Sequence, residues 1–180
     1  MILKAPYQAL SHGRLCKPKT NFNFMSQIVI YQPSDVTTAL AAQKTAKNAR
    51  IANTSGQVSF GIFPLNSHGY QSAPIILKLG FIGYASQRTG AYGLRHIWEK
   101  HGQEIGISNP SDVPSFIESI LIPGAEVIID STKSAKPLII ESKTGLITVG
   151  FSTPPNEAPH YHIITAYTRK NHPGTVIATL

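Results

Sequence analysis

The sequence predicts an α+β fold in which N-terminal helices pack on an antiparallel sheet of four to five strands. First, the 180-residue chain contains 14 Gly and 13 Pro and only 14% charged residues, which is typical of many turns and short strands. Second, apolar residues follow a helical spacing from Gly93 onward. Third, several strand candidates follow that helix, and strands joined by short turns pair as antiparallel neighbours.

The part of the chain before Gly93 is predicted to contain few regular elements. A strand is expected at residues 27–31. The Ser34-Asp35 pair can cap a helix that continues through alanine-rich sequence to about Arg50. A strand and a loop are expected over residues 51–72, followed by a buried strand at 73–79.

Charge is distributed unevenly along the chain. Residues 1–80 hold eight Lys and Arg side chains against Asp35 alone, whereas residues 81–180 hold eight charges of each sign. A basic surface favours a polyanionic partner. We therefore divide the chain into a basic extension, residues 1–72, with a delivery or accessory role, and a domain at residues 73–180 that carries the candidate chemistry.

The elements after Gly93 are more regular. One helical stripe is formed by Leu94, Ile97, Trp98, His101 and Ile105. A second helix, capped by Ser111 and Asp112, is expected to reach about Leu121 and to end before a Pro-Gly pair. Strands are expected at residues 126–130, 137–142, 146–152, 160–169 and 175–179.

The helix after Gly93 concentrates groups that could act on a phosphodiester. An imidazole can move a proton and cations can hold a phosphate, and this helix carries Arg95, His96, Lys100 and His101. At 100° per residue, His101 falls in the apolar stripe and His96 on the opposite side with Lys100. The two imidazoles are therefore expected to converge only if the first turn is frayed. The alternative for His101 is a histidine packed against the sheet.

The strand at residues 160–169 carries the second concentration of polar groups. Strict alternation puts Thr165, Tyr167 and Arg169 on one face, and His160 and His162 on the other. A hydroxyl, an aromatic ring and a guanidinium in one column suit binding a phosphate and stacking a base. The alternative is an ordinary cross-strand set, with both histidines exposed.

Other chemistry finds little support in the sequence. Glu141 could be a general base or an edge-strand charge. His96 and His101 are five residues apart rather than three or four, and no carboxylate or thiol completes a metal set, so neither a metal nor a cofactor is expected. Cys16 is alone, which excludes an internal disulfide. No apolar run is long enough for a membrane span, and the N-terminus lacks a cleavable signal peptide.

The motif YGLRHIWEKHGQEI, followed by a helix containing Phe-Ile-Glu and by the late strand HIITAYTRK, resembles a known group. It is similar to the phage-associated nuclease-like domains of the barnase/EndoU/colicin/RelE superfamily. The resemblance covers residues 73–180. It implies a barnase-like fold and metal-independent RNA cleavage by bacterial toxins, each neutralised by an immunity protein or antitoxin. It also assigns roles to His96, Lys100 and His101 in the helix, and to Thr165 and Tyr167 in the strand.

We therefore interpret the chain as an endoribonuclease toxin. His96, His101 and Thr165 are the candidate catalytic residues, and one histidine would deprotonate the ribose 2′-hydroxyl to give a 2′,3′-cyclic phosphate. The candidate substrate-binding residues are Arg95, Lys100, Tyr167 and Arg169. The expected partners are an RNA substrate, with tRNA among the candidates, and a cognate immunity protein. The expected site of action is the cytoplasm of a target cell, after delivery or secretion.

Two alternatives remain open at this point. The first is a non-catalytic binding or structural module of a phage or effector that keeps the same fold, which the neutral charge of residues 81–180 favours. The second is a nuclease that acts on DNA. DNA hydrolysis usually recruits divalent ions, and the missing ligand set counts against it.

Overall fold

Short runs of β-branched and aromatic residues form strands in each large described segment of the chain, because such side chains fit a pleated, half-buried surface. The computed structural model describes residues 28–41, 46–132, 137–168 and 171–180. The strands in these ranges are β1 Ile30–Tyr31, β2 Arg50–Ile51, β3 Ser59–Phe63, β4 Ala73–Lys78, β5 Glu126–Ile129, β6 Leu138–Glu141, β7 Gly145–Ser152, β8 His160–Thr168 and β9 Thr175–Thr179. The α-helices are α1 Val36–Ala41, α2 Gly93–His101 and α3 Val113–Ile120.

The strands form one mixed sheet in the order β1-β2-β4-β8-β7-β6-β5-β9. From β8 to β9 every neighbouring pair is antiparallel. On its other side, β8 pairs with β4 in parallel. The opposite edge of β4 pairs with both β2 and β3, each antiparallel to it. The first strands of the chain therefore belong to the same sheet as the last ones.

The helices lie where the sequence provides caps and apolar stripes. α2 packs mainly along β8 and buries Leu94 and Ile97. Before α3, the Asn109 side chain accepts a hydrogen bond from the Ser111 N–H at 3.0 Å, which caps the 3-10 turn that leads into the helix. No helix in the described ranges is long and apolar enough to cross a bilayer.

The main core lies between the three helices and one face of the sheet. Its fully buried large side chains include Ile51, Phe63, Ile75, Leu77, Leu94, Ile97, Ile117, Ile120, Ile140, Tyr161 and Ile163. They come from residues before and after position 72, so both parts of the chain contribute to one hydrophobic interior. The boundary between residues 72 and 73 stays a prediction.

The opposite side of the sheet, which we call the second face, carries polar residues on β2, β4 and β8. Cross-strand partners share a face, and Arg50 pairs with Lys78 while β4 Ile76 pairs with His162. Nearer β6, this face is apolar, with a small cluster of Ile128, Ile139 and Leu146 that Tyr167 packs against.

A β-bulge in β8 changes which residues share the second face. Thr148 pairs with Thr165, whereas the next residue of β7, Val149, pairs with Ile163, so Ile164 is the extra residue. The strict alternation predicted from the sequence is therefore wrong beyond this point. Thr165 and Tyr167 lie on the same face as His160 and His162 rather than on the opposite one.

The predicted fold class is also wrong. Helices packed on four or five antiparallel strands do not describe this molecule, because the described residues form a nine-stranded mixed sheet with three short helices. The sequence reveals each strand by its local pattern, but the parallel β4–β8 pairing that enlarges the sheet joins segments far apart in the chain. A local pattern carries no information on such a pairing.

The predicted helix ending near Arg50 is wrong as well. α1 is described from Val36 to Ala41, residues 42–45 lie outside the described residues, and Arg50 begins β2. The Arg50 N–H donates to the Val29 carbonyl at 2.8 Å, which is a strand contact. Pairing in a sheet has overridden the helix propensity of the alanine-rich sequence. The helix predicted from Gly93 to Ile105 begins as expected but ends four residues early, at His101. The second helix and the strands predicted from residue 73 onward are confirmed to within one to two residues.

Candidate functional site

A hairpin-like loop, residues 81–92, leads from β4 into α2 and borders the second face. The N–H groups of Phe81 and Tyr92 each donate to the other residue's carbonyl, at 2.9 and 3.0 Å, and close its base. Gly80 and Gly93 lie in contact at this base with φ of 81° and 78°, and a Cβ on Gly93 would lie 2.5 Å from the Lys78 carbonyl oxygen. Only glycine fits this close approach, which positions the start of α2.

α2 brings its two histidines together. The ring centroids of His96 and His101 are 5.5 Å apart in an edge-to-face arrangement, and the side chains belong to residues that are only 6% and 9% exposed. The first turn of α2 is not frayed, because the helix is regular from Gly93 to His101, and the two rings lie side by side within it. That both imidazoles act on one ligand stays a prediction.

His101 connects the helix to β8. Its ring lies 5.2 Å from the Tyr167 ring, and its Nδ1 lies 3.1 Å from a carboxylate oxygen of Glu104. A carboxylate only accepts hydrogen bonds, so Nδ1 carries the proton and donates it to Glu104. The other nitrogen, Nε2, is left to exchange a proton with a ligand. Glu104 was not predicted as a partner of His101, although its position three residues later in the sequence was a usable signal.

His96 is held in its neutral form. Burial, followed by the neighbouring His101, Lys100 and Arg88 in that order, lowers the pKa of His96 from 6.5 to about 4. Its Nδ1 is buried and has no hydrogen-bond partner among the described residues. A buried polar atom of this kind costs free energy unless a ligand or a water molecule forms a hydrogen bond with it. The imidazole is thus a base surrounded by cationic groups.

Two cationic side chains, Lys100 and Arg88, lie close enough to His96 to lower its pKa, and Thr165 lies on β8 two residues from Tyr167. Lys100 is exposed, while Arg88 comes from the loop at residues 81–92 and has one buried guanidinium nitrogen, Nη1, without a partner in the described part of the chain. The Thr165 hydroxyl, on the second face, is likewise buried and unpaired there. Arg88 was not predicted, because its position near His96 is known only from the structure, where its charge helps to lower the pKa of His96.

The predicted substrate-binding residue Arg95 is directed away from the histidine pair. The Arg95 guanidinium donates to the Leu40 carbonyl at 2.8 Å and lies 3.8 Å from Glu99, so it faces α1. Arg169 lies outside the described residues. Glu141 is 6% exposed on a strand inside the sheet, and accepts a hydrogen bond from the His172 N–H at 3.0 Å, so it is not an edge-strand charge.

A second polar group occupies the second face where β2, β4 and β8 meet. It consists of Arg50, Lys78, His160 and His162, and we call it the Arg50–His162 cluster. From the sequence, Arg50 is expected in a helix and both histidines are expected to be exposed. In the structure His160 is 4% exposed and His162 half-buried, so that expectation is wrong. Tyr92 links this cluster to the loop at residues 81–92, because its ring lies 5.8 Å from that of His162.

No set of three or more His, Cys, Asp or Glu side chains in the described ranges is arranged to hold a metal ion. No protein-family model matches the chain, and no curated protein is significantly similar to it. The resemblance to nuclease-like domains therefore remains an interpretation of the sequence motifs, and a function is proposed from the side chains themselves.

Proposed function

We propose that this protein is an endoribonuclease that cleaves RNA through attack of the ribose 2′-hydroxyl on the adjacent phosphate. The observation that carries the proposal is the pair of adjacent imidazoles, His96 and His101, in unlike environments beside Tyr167. Two neighbouring titratable groups whose surroundings differ can take the roles of acid and base in one reaction.

His96 is the general base of the proposed reaction. Because its pKa is about 4, its imidazole is neutral at pH 7 and can accept the 2′-hydroxyl proton. His101 is the general acid. Its Nδ1–H is held by Glu104, so its Nε2 delivers the proton to the 5′-leaving oxygen. The attack breaks the P–O5′ bond, and a 2′,3′-cyclic phosphate and a free 5′-hydroxyl are formed.

Cationic and hydroxyl groups around the pair support phosphate binding. Arg88 and Lys100 lie near enough to His96 to lower its pKa in the free protein, so they would also act on a phosphate bound there. The negative charge of that phosphate would oppose their effect on His96. Thr165 brings a hydroxyl and Tyr167 a ring for stacking on a base.

One observation favours a non-catalytic binding module as the second candidate. Both histidines belong to residues that are more than nine-tenths buried, and a catalytic imidazole must reach its substrate. In this alternative the two rings pack α2 against β8, and the second face binds its partner without chemistry. The toxin role, the immunity partner and action in a target cell belong to the nuclease proposal, and they rest on the sequence motifs alone.

The test is RNA cleavage by the purified protein in the presence of a metal chelator. Total tRNA and rRNA serve as substrates, and the ends of the products are analysed. We expect 2′,3′-cyclic phosphate ends from the wild type, and cleavage at least about 100-fold slower for His96→Gln and for His101→Gln. His68→Gln, at an exposed loop histidine, is the matched control and should cleave like the wild type.

Thermal unfolding of each variant separates a catalytic defect from a folding defect. Folded His96→Gln and His101→Gln proteins that cleave RNA as fast as the wild type would contradict the proposal. A folded wild type that binds RNA and leaves it intact would instead support the binding module.

A further inference from the structure

The Arg50–His162 cluster contains a buried guanidinium that is only partly satisfied. The Arg50 side chain is 6% exposed and forms an ion pair with Glu157, in the loop between β7 and β8. Its second terminal nitrogen, Nη1, is buried and has no hydrogen-bond partner among the described residues. A buried guanidinium donor without an acceptor costs free energy, so an anion that reaches it would be bound favourably.

His160 presents a second unsatisfied atom in the same place. Its Nδ1–H donates to the Ala158 carbonyl at 3.0 Å, which leaves Nε2 as the free nitrogen. Nε2 is buried and unpaired within the described part of the chain. Burial lowers the pKa of His160, and so do the charges of Arg50 and Lys78. A bound anion would let Nε2 take up a proton and donate a hydrogen bond to it.

The charges of the cluster are unbalanced. Burial, followed by the neighbouring Lys78, His160 and Arg50, lowers the pKa of His162 to about 4. Burial lowers the pKa of Lys78, and Arg50 lowers it further while Glu157 opposes both. Among the described groups that act on these side chains, Glu157 is the one carboxylate. One guanidinium, one amine and two imidazoles therefore face a single carboxylate.

The Arg50–His162 cluster and the His96–His101 pair both lie beside β8 and the loop at residues 81–92. His162 and Tyr167 share the second face of β8, and a strand rise of about 3.3 Å per residue puts them about 15 Å apart. The loop at residues 81–92 borders both groups, since Tyr92 contacts His162 and Arg88 acts on His96. An extended nucleic-acid strand of a few nucleotides can span that separation.

We propose that the Arg50–His162 cluster is a phosphate-binding subsite that holds a backbone phosphate of the same RNA strand, a few nucleotides from the bond that is cleaved. This inference rests on the proposed ribonuclease function. Arg50 and Lys78 provide fixed positive charge, and His160 and His162 donate hydrogen bonds once the phosphate is bound. The subsite lets the protein prefer RNA longer than a dinucleotide, and it tightens as pH falls and the imidazoles become protonated.

The first experiment probes the subsite with inorganic phosphate and needs no variant. The Cε1–H resonances of His160 and His162 are followed by NMR during a phosphate titration at pH 6 and at pH 7.5. We expect saturable shifts of both resonances toward the protonated position, with tighter binding at pH 6. Absence of any shift at millimolar phosphate would overturn the inference.

The second experiment links the subsite to RNA. Fully 2′-O-methylated RNA lacks the attacking hydroxyl, so binding is measured without cleavage, with oligonucleotides of two and of eight nucleotides. We expect the longer one to bind wild-type protein at least about tenfold more tightly, and this gain to be lost in Lys78→Gln. Lys143→Gln, at an exposed lysine in the β6–β7 turn, is the matched control and should keep the gain.

The outcomes separate this inference from the proposed function. If wild-type protein cleaves RNA but Lys78→Gln keeps the full length dependence, the subsite is wrong and the ribonuclease stands. If the length dependence and the phosphate shifts are observed but no RNA is cleaved, the subsite stands and the ribonuclease fails. Phosphate shifts without any effect of RNA length would overturn the assignment to RNA.

Discussion

At the scale of single residues, burial and neighbouring charge decide what each histidine can do. His96 and His162 both have a pKa lowered to about 4, chiefly by burial and then by nearby cationic groups. Such groups are neutral in the folded protein at pH 7 and protonate more readily when the chain unfolds. The lowered pKa that suits His96 to its proposed role as a base therefore also makes the stability of the fold sensitive to acid.

This property predicts a specific pH dependence of stability. Below pH 6.5 the unfolded chain binds a proton at His96 before the folded protein does, so the free energy of unfolding should fall between about pH 6.5 and about pH 4. The lowered pKa corresponds to at most about 3 kcal/mol for this residue. Urea unfolding at several pH values measures this decrease in the free energy of unfolding. In His96→Gln the part of the decrease that comes from His96 should be absent.

The difference between wild type and variant is the informative quantity, because other groups titrate in both proteins. His68→Gln, at an exposed loop residue, controls for replacement of a histidine as such. If the wild type and His96→Gln differ by a constant amount from pH 4 to pH 7.5, the described burial of His96 has no effect on its protonation.

At the scale of elements, the loop at residues 81–92 and the bulge in β8 place the functional groups. The loop carries Arg88 and Tyr92 to the two polar groups, and its base is a close contact of Gly80 with Gly93. The bulge at Ile164 turns the end of β8 so that Thr165 and Tyr167 share a face with His160 and His162. Each of these two elements determines which side chains lie together.

Gly93→Ala tests the base of the loop. The new Cβ would lie 2.5 Å from the Lys78 carbonyl oxygen at a residue whose φ is 78°, so we expect a loss of about 2–4 kcal/mol in the free energy of unfolding. Gly90→Ala is the matched control, since its φ of 73° is similar but nothing lies within 4 Å of the added atom. It should cost only about 1–2 kcal/mol. Equal losses in urea unfolding would show that the close contact does not matter.

At the scale of the whole molecule, one sheet and one core unite the two parts of the chain. β2 and β3 cover the edge of β4, and Ile51 and Phe63 are fully buried in the main core. Arg50 reaches Glu157 from this same region. The Arg50–His162 cluster therefore contains residues from both sides of position 72.

A fragment containing only residues 73–180 is expected not to fold to the native state. It lacks Ile51 and Phe63, and loss of one large core side chain alone costs about 2–5 kcal/mol, while a domain of this size is stable by about 5–15 kcal/mol. It would also expose the edge of β4, which favours aggregation. Amide exchange and thermal unfolding would show whether the fragment folds cooperatively. A fragment of residues 28–180, which keeps every described strand, is the control. A cooperative, native-like fragment 73–180 would contradict the prediction and support two separate domains.

Much of the local structure could be predicted from the sequence, because it depends on nearby residues. Apolar spacing and capping residues predicted α2 and α3, and turn residues bounded the strands from β4 to β9. The motif in α2 also identified His96 and His101 as candidates, and their rings are in contact in the structure. The Arg50–His162 cluster was missed because its members come from three strands that are distant in the chain.

The sequence by itself determined the helix that carries the two histidines, the order of the strands along the chain, and the residue types available for chemistry, since each depends on local spacing and composition. Only the tertiary structure decided that β4 pairs with β8 in parallel, that a bulge brings Thr165 and Tyr167 to the face of His160 and His162, and that Arg50 enters the same surface. These features depend on which distant segments pair and in which register, and the free energy of that pairing comes from the assembled core rather than from any one segment.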